Sequence, residues 1–189
     1  MLVSDSTEHS AGNAELKPDP SLSTEECCAH GDECMQNDNY DQAVVWFRRA
    51  AECGYEKAQY NLGTMYANGQ GVRQDDAEAM KWCRLEAVKW WRLAAEQGHI
   101  EAQFTLGMIK QDGLGVPQDA AEAAKWYRLA AEQGHAEAQC QLGRMYDQGS
   151  GVPQDNGEAV RWFCLSVKQG NAAAQDMLAG LNDAHPRKP

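Results

Sequence analysis

Long hydrophobic runs are missing from the chain: nothing approaches the ~20 consecutive apolar residues that a membrane-spanning helix needs. The opening stretch, MLVSDSTEHSAGNAELKPDPSLSTEE, has no basic head followed by an apolar segment, so no export signal is expected and the location expected is cytoplasmic, as a soluble protein. Positive charge is scarce too. Seventeen Lys and Arg stand against 28 Asp and Glu, a formal net charge of -11. Such a surface repels phosphate backbones and offers no cationic stripe for counterion release, which excludes nucleic acid as an expected partner. Seven cysteines, Cys27, Cys28, Cys34, Cys53, Cys83, Cys140 and Cys164, are odd in number and irregularly spaced. No full disulfide framework can be read from them, and a reducing compartment suits them better. Signatures of chemistry are also absent: there is no Ser-x-x-Lys, Gly-x-Ser-x-Gly, His-Glu-x-x-His or Gly-x-x-x-x-Gly-Lys. The expectation is a non-enzyme with no catalytic residue, no cofactor and no metal.

What is present is repetition. GHIEAQFTLGMIKQDGLGVPQDAAEAAKWYRLAAEQ, starting at Gly98, is followed without a gap by GHAEAQCQLGRMYDQGSGVPQDNGEAVRWFCLSVKQ, starting at Gly134, two units of 36 residues. GYEKAQYNLGTMYANGQGVRQDDAEAMKW, starting at Gly54, is the same unit with a stretched second half. Each unit predicts two antiparallel helices. In the last full unit Ala138, Leu142, Met145 and Tyr146 share one helical face. Gly149 ends that helix, Val152 is expected to tuck under the turn, and Asp155 with Glu158 forms a capping-box pattern that opens the second helix. Asp119 with Glu122 and Asp75 with Glu78 repeat it. Gly63, Gly107 and Gly143 fall mid-helix, where glycine costs ~1 kcal/mol relative to alanine. Close approach of the aromatic pair on the second helix, Trp126-Tyr127 or Trp162-Phe163, is the expected compensation.

The first unit lacks the Gly-x-Gly-Val turn, yet Asn39 with Gln42 and Trp46-Phe47 take the cap and aromatic positions. NAAAQDMLAGLNDA, from Asn171, copies only a first helix, a common way for a solenoid to close, and Pro186 stops it. The expected organisation is a disordered acidic tail over 1–22 and a solenoid over 23–184. Its units are about 24–53, 54–97, 98–133 and 134–169, with a terminal helix at 170–184 and a short tail at 185–189.

The stretched half holds EAMKWCRL (Glu78 to Leu85) followed at once by EAVKWWRL (Glu86 to Leu93). Eight residues advance a helix by ~12 Å and leave it about 80° out of phase. Drawn as one helix from Asp76 to Gln97, Ala79, Met80, Cys83, Ala87, Trp90, Trp91 and Ala94 share an apolar side, with Trp82 and Leu85 outside it. Two readings stay open: a continuous long helix that projects past its partners and leaves Trp82 or Leu85 partly exposed, or a silent, tolerated duplication.

The pattern A-x-x-x-L-G-x-M-Y-x-x-G-x-G-V-x-x-D, at Ala58 to Asp75 and Ala138 to Asp155, resembles the SEL-one-like repeat (SLR) family, a relative of tetratricopeptide repeats. The third unit departs at Ile109-Lys110, where Met-Tyr is expected, and one packing contact is expected to weaken. The resemblance implies an all-α, right-handed α/α solenoid serving as an adaptor for other proteins, in signalling, quality control or bacterial dealings with hosts. Cysteine-rich relatives imply the alternative, a ligand-binding protein or small β-lactamase-like hydrolase; their paired cysteines are not present here. A purely structural spacer is a third option.

By the tetratricopeptide resemblance the first helices would line a concave groove for a protein or peptide partner. Its positions here are Lys57, Tyr60, Thr64, Ala67 and Asn68; Glu101, Phe104, Met108, Gln111 and Asp112; and Glu137, Cys140, Arg144, Asp147 and Gln148. Tyr60, Phe104 and Met108 would be apolar anchors, with amides and acids around them suiting some positive charge on the partner. An ordinary solvated face is the plainer alternative. Cys27, His30 and Cys34, with Cys28 beside them, share a helical face and could suggest a metal, but a fourth ligand is not evident and core packing explains the cysteines. His99 and His135 stand just before first helices and read as caps or surface residues.

Overall fold

The computed structural model describes the backbone of residues 21–71 and 77–184, and all side chains there except those of 77–84 and 182–184. Expectations placed on residues 1–20, on the Asp75 and Glu78 pair, on Trp82 and on Pro186 lie outside the described residues. Within them the chain is all helix: α1 (Thr24–Gln36), α2 (Tyr40–Glu52), α3 (Glu56–Asn68), α4 (Ala77–Glu96), α5 (Ile100–Asp112), α6 (Ala120–Glu132), α7 (Ala136–Gln148), α8 (Asn156–Lys168) and α9 (Ala172–Ala184). The hairpins α1/α2, α3/α4, α5/α6 and α7/α8 stack in chain order, and α9 closes against α8 and α7. This is an α/α solenoid, in which each unit contacts only its neighbours.

Helix ends follow local chemistry. Gly69, Gly113 and Gly149 end α3, α5 and α7 in the left-handed conformation, where glycine carries no Cβ penalty. Asp119 and Asp155 cap α6 and α8, their side chains accepting from Glu122 N and Glu158 N at 2.9 and 3.0 Å. Among the described residues the reciprocal half of the capping box forms only at Ser23 and Glu26, before α1. Glu158 instead takes Arg161 at 3.2 Å, and Glu122 takes cations described below, because a nearby charge outbids a neutral amide for a carboxylate. Likewise Asn39 caps α2 by accepting from Gln42 N, but Gln42 Oε1 returns nothing and has no partner among the described residues.

The mid-helix glycines have the expected cause. A methyl carbon built on Gly31, Gly63, Gly107 or Gly143 would lie 2.6, 2.8, 2.5 or 2.8 Å from the rings of Phe47, Trp91, Tyr127 and Phe163 respectively. In every unit the ring is the second member of the aromatic pair, and it seats in the space the missing Cβ leaves. Around it sit alanines with no exposure at all, such as Ala58, Ala102, Ala123 and Ala138, and Leu62, Leu106 and Leu142. Val152 lies partly buried under its turn against the same core.

The octet is accommodated as helix. α4 is 20 residues long where its counterparts are 13, and Trp91 of the second copy occupies the Gly63 seat. Ala87 and Ala94 are fully buried, while Leu85, at the junction of the copies, is 41% exposed. The second copy is the docked one.

Neighbouring units are joined by two repeated polar devices. Buried Gln59, Gln103 and Gln139 each donate to a carbonyl at the end of the preceding second helix, Ala51, Ala95 and Ala131, at 3.0–3.1 Å. Each also accepts from the glutamine closing its own unit, Gln97, Gln133 or Gln169, at 2.7–2.8 Å. The second device pairs an arginine with the next unit. Arg48 and Arg128 donate to the hydroxyls of Tyr66 and Tyr146. At the departure in the third unit the contact is exchanged rather than weakened: Lys110 replaces the tyrosine, and it and Arg92 converge on Glu122 at 2.7 and 3.2 Å. The Lys110 ammonium, with lesser help from Trp126 and Arg92, holds the Glu122 carboxyl below the usual carboxylate range.

Two pairs of variants test this packing. Gly107→Ala should destabilise by about 1–3 kcal/mol through collision with Tyr127. Gly180→Ala, with nothing within 4 Å of the added carbon, should be neutral or stabilising by up to ~1 kcal/mol in the same urea titration. Deleting 78–85 should leave stability nearly unchanged, whereas deleting 86–93 puts Cys83 in the ring's seat and should cost about 2–4 kcal/mol by the same measurement.

Candidate functional site

The first helices α3, α5 and α7 present one face whose buried and exposed positions differ in kind. Buried positions are the same in all three: Ala58, Gln59, Leu62 and Gly63 match Ala102, Gln103, Leu106 and Gly107, and Ala138, Gln139, Leu142 and Gly143. Positions between them change from unit to unit. Lys57 gives way to Glu101 and Glu137, and Thr64 to Met108 and Arg144.

Near the start of the array, Lys57 Nζ meets Asp32 of α1 at 2.7 Å, and Asn61 Nδ2 donates to the same carboxylate at 3.2 Å. That hydrogen bond to Asp32 raises the Lys57 pKa. Thr64 is turned back on its own helix, its hydroxyl donating to the Tyr60 carbonyl at 3.0 Å. Asp32, Tyr60, Asn61 and Thr64, with Met35, Phe47 and Met65, line a cavity of about 170 Å³ between α1 and α3. Asn68 is exposed at the end of α3, and Ala67 faces a second cavity, of about 310 Å³, with Ala87, Val88, Trp91, Ile109 and Leu114.

Along α5, Glu101 and Asp112 are exposed, and Met108 is 36% exposed. Gln111 is partly buried, its carbonyl accepting from Gln118 Nε2 at 2.7 Å to brace the turn. On α7, Glu137 and Gln148 are exposed. Arg144 donates to Gln141 at 3.1 Å, and Asp147 braces the next turn through its carbonyl and Gln154, at 2.7 Å. Cys140 is 5% exposed and belongs to the core against α8 and α9, so it cannot contact a partner.

Tyr60 and Phe104 are half-buried for a reason the repeat pattern does not reveal. Each stacks on the histidine opening the next unit: Tyr60 on His99 with centroids 4.6 Å apart, and Phe104 on His135 at 4.4 Å. Both histidines are caps, their Nδ1 accepting from Ala102 N at 3.3 Å and Ala138 N at 3.1 Å. Sequence reasoning missed Asp32, Asn61 and the stacked histidines as parts of this face. The signal was available only for the histidines, which recur in register with Tyr60 and Phe104.

Elsewhere, Cys27 and Cys28 are 1% and 2% exposed in the α1/α2 core, whereas His30 is exposed and packs on Trp46 at 4.9 Å. Among the described residues no three His, Cys, Asp or Glu side chains are grouped so as to hold a metal ion. Burial, with the Asp32 charge second, pushes the Cys28 thiol up to about 11. Among the described residues no helix is long and apolar enough to cross a membrane.

A stack of helical hairpins with invariant buried positions and a variable outer face defines the solenoid class of repeat proteins. The chain belongs to the Sel1 repeat family: its model matches residues 21–55, 56–85, 84–99, 100–135 and 136–171, dividing at the duplicated octet. The fold is similar to a Sel1 repeat protein from Oxalobacter formigenes, 35% identical with a TM-score of 0.77, over 87% of this chain and 66% of that one. It is also similar to c5321, described as a protective antigen of uropathogenic Escherichia coli with an SLR fold, at 33% identity and a TM-score of 0.53, over 85% and 41% of the two chains. In sequence, 51 residues are 43% identical to an exopolysaccharide production negative regulator of Rhizobium leguminosarum bv. viciae. That stretch is 27% of this chain and 19% of the relative's length. Sel1 repeat proteins are generally scaffolds for protein–protein interaction and are typically non-catalytic.

Proposed function

We propose that this chain is a non-catalytic scaffold or adaptor, and that its protein or peptide partner lies along the exposed face of α3, α5 and α7. The observation that carries the reading is the contrast within one chain between invariant buried positions and changing exposed ones, a fixed frame with a variable reading face. Contacting side chains would be Lys57, Tyr60, Thr64, Asn68, Glu101, Phe104, Met108, Gln111, Glu137, Arg144, Asp147 and Gln148. Met108 is the most accessible apolar anchor, since Tyr60 and Phe104 are half-covered by histidines. Glu101, Asp112, Glu137 and Asp147 outnumber the cations on this face, and Lys57 is already paired with Asp32. A partner segment with positive charge and one or two apolar side chains fits that balance. A cytoplasmic setting is compatible with it.

The six cysteines among the described residues are all free, so the cysteine-rich alternative gains no disulfide from them. Cys27, Cys28 and Cys140 are core residues, and at Cys28 and Cys140 burial disfavours the thiolate that a nucleophile needs.

The test is affinity capture of partners from cells with the full chain, followed by titration of the recovered partner against a Glu101→Gln, Met108→Ala, Glu137→Gln variant. All three side chains are exposed and outside the core, so helicity should be unchanged. Binding should weaken by about tenfold or more, and the remaining affinity should depend less on salt. Equal affinity for the variant, with loss instead on Leu93→Ala, Leu129→Ala, would move the partner to the second helices.

A further inference from the structure

The histidines that open α5 and α7 are placed where one ring nitrogen has two rival partners. His99 Nδ1 accepts the Ala102 amide at 3.3 Å, and Glu101 Oε2 stands 3.3 Å from the same atom. His135 repeats this with the Ala138 amide at 3.1 Å and Glu137 Oε2 at 3.6 Å. A neutral imidazole with its proton on Nε2 can serve the amide; a protonated one cannot, because both nitrogens are then donors. The helix N-terminus also disfavours a positive charge there.

We propose that His99 and His135 are acid-released pins between consecutive units. In the neutral form each ring caps a first helix and lies flat on the aromatic side chain of the unit before, Tyr60 or Phe104. Protonation at Nδ1 ends the hydrogen bond from the amide and turns the ring toward Glu101 or Glu137. The stack is then lost, the cap is lost with it, and Tyr60 and Phe104 become uncovered on the outer face. The device is independent of any partner.

The surroundings set its direction. His99 faces Glu101 on its own helix and Glu56 and Tyr60 on α3, while Glu96 at the end of α4 is exposed. Burial lowers the His99 pKa from 6.5, and the two carboxylates only partly offset it. A depressed folded value means that its contribution to stability is complete above 6.5 and is lost as pH falls through the folded value. His135 faces Glu137 on α7 and the uncharged Phe104 on α5, and Glu132 at the end of α6 is exposed. The chain also contains a non-titrating form of the same cap: Asn171 Oδ1 accepts from Ala174 N at 3.1 Å at the start of α9.

The test is amide and histidine side-chain NMR on the full chain between about pH 7.5 and about pH 5. Ala102 and Ala138 amides should shift with the same midpoints as the His99 and His135 ring signals, and their hydrogen exchange should quicken by about tenfold or more beyond the intrinsic pH effect. In His99→Asn, His135→Asn both responses should vanish while the amides stay protected at neutral pH. Rings that titrate without moving those amides, or an acid response that persists in the double variant, would overturn the proposal.

Discussion

The structure depends on a ring seated where a side chain is missing. Gly31, Gly63, Gly107 and Gly143 let Phe47, Trp91, Tyr127 and Phe163 lie against helix backbone, and this fixes how closely the two helices of each hairpin approach. That spacing in turn demands the alanines at Ala43, Ala58, Ala87, Ala102, Ala123, Ala138 and Ala159, all without exposure. With helices so close, buried Gln59, Gln103 and Gln139 can reach both the preceding unit and the end of their own, and each leaves no amide group stranded in the core. Register along the stack is thus set by hydrogen bonds, and separation within a hairpin by glycine.

Much of this was legible in the sequence because repetition separates the frame from the rest. Helix ends at Gly69, Gly113 and Gly149, caps at Asp119 and Asp155, and the glycine seats could all be placed from local pattern. Contacts between units could not. That Gln103 would bond to Ala95 and Gln133, or that Lys110 and Arg92 would share Glu122, depends on distances no single unit contains. The capping boxes at Asp119 and Asp155 were half right: a tertiary cation, Lys110, took the first glutamate, while Arg161, one turn along the same helix, took the second.

The duplicated octet shows the limit most sharply. Both copies fit the repeat, and the family match itself divides between 56–85 and 84–99. Packing decides between them, since Trp91 brings a ring to Gly63 and the equivalent residue of the first copy is Cys83. On the outer face, the sequence located the variable positions but gave no sign that Cys140 is core or that Tyr60 and Phe104 are partly covered. Exposure is a property of the assembled stack, so the candidate face narrows to side chains such as Glu101, Met108 and Glu137.

On the proposed function, a frame this repetitive leaves the choice of partner to the exposed residues of the first helices. The most direct measurement is site-specific photo-cross-linking in living cells, with the reactive group placed at residue 108 on the first-helix face or at residue 129 on a second helix, where Leu129 is 43% exposed. The account predicts a discrete cross-linked partner from residue 108 that is absent from residue 129; adducts from 129 alone would contradict it.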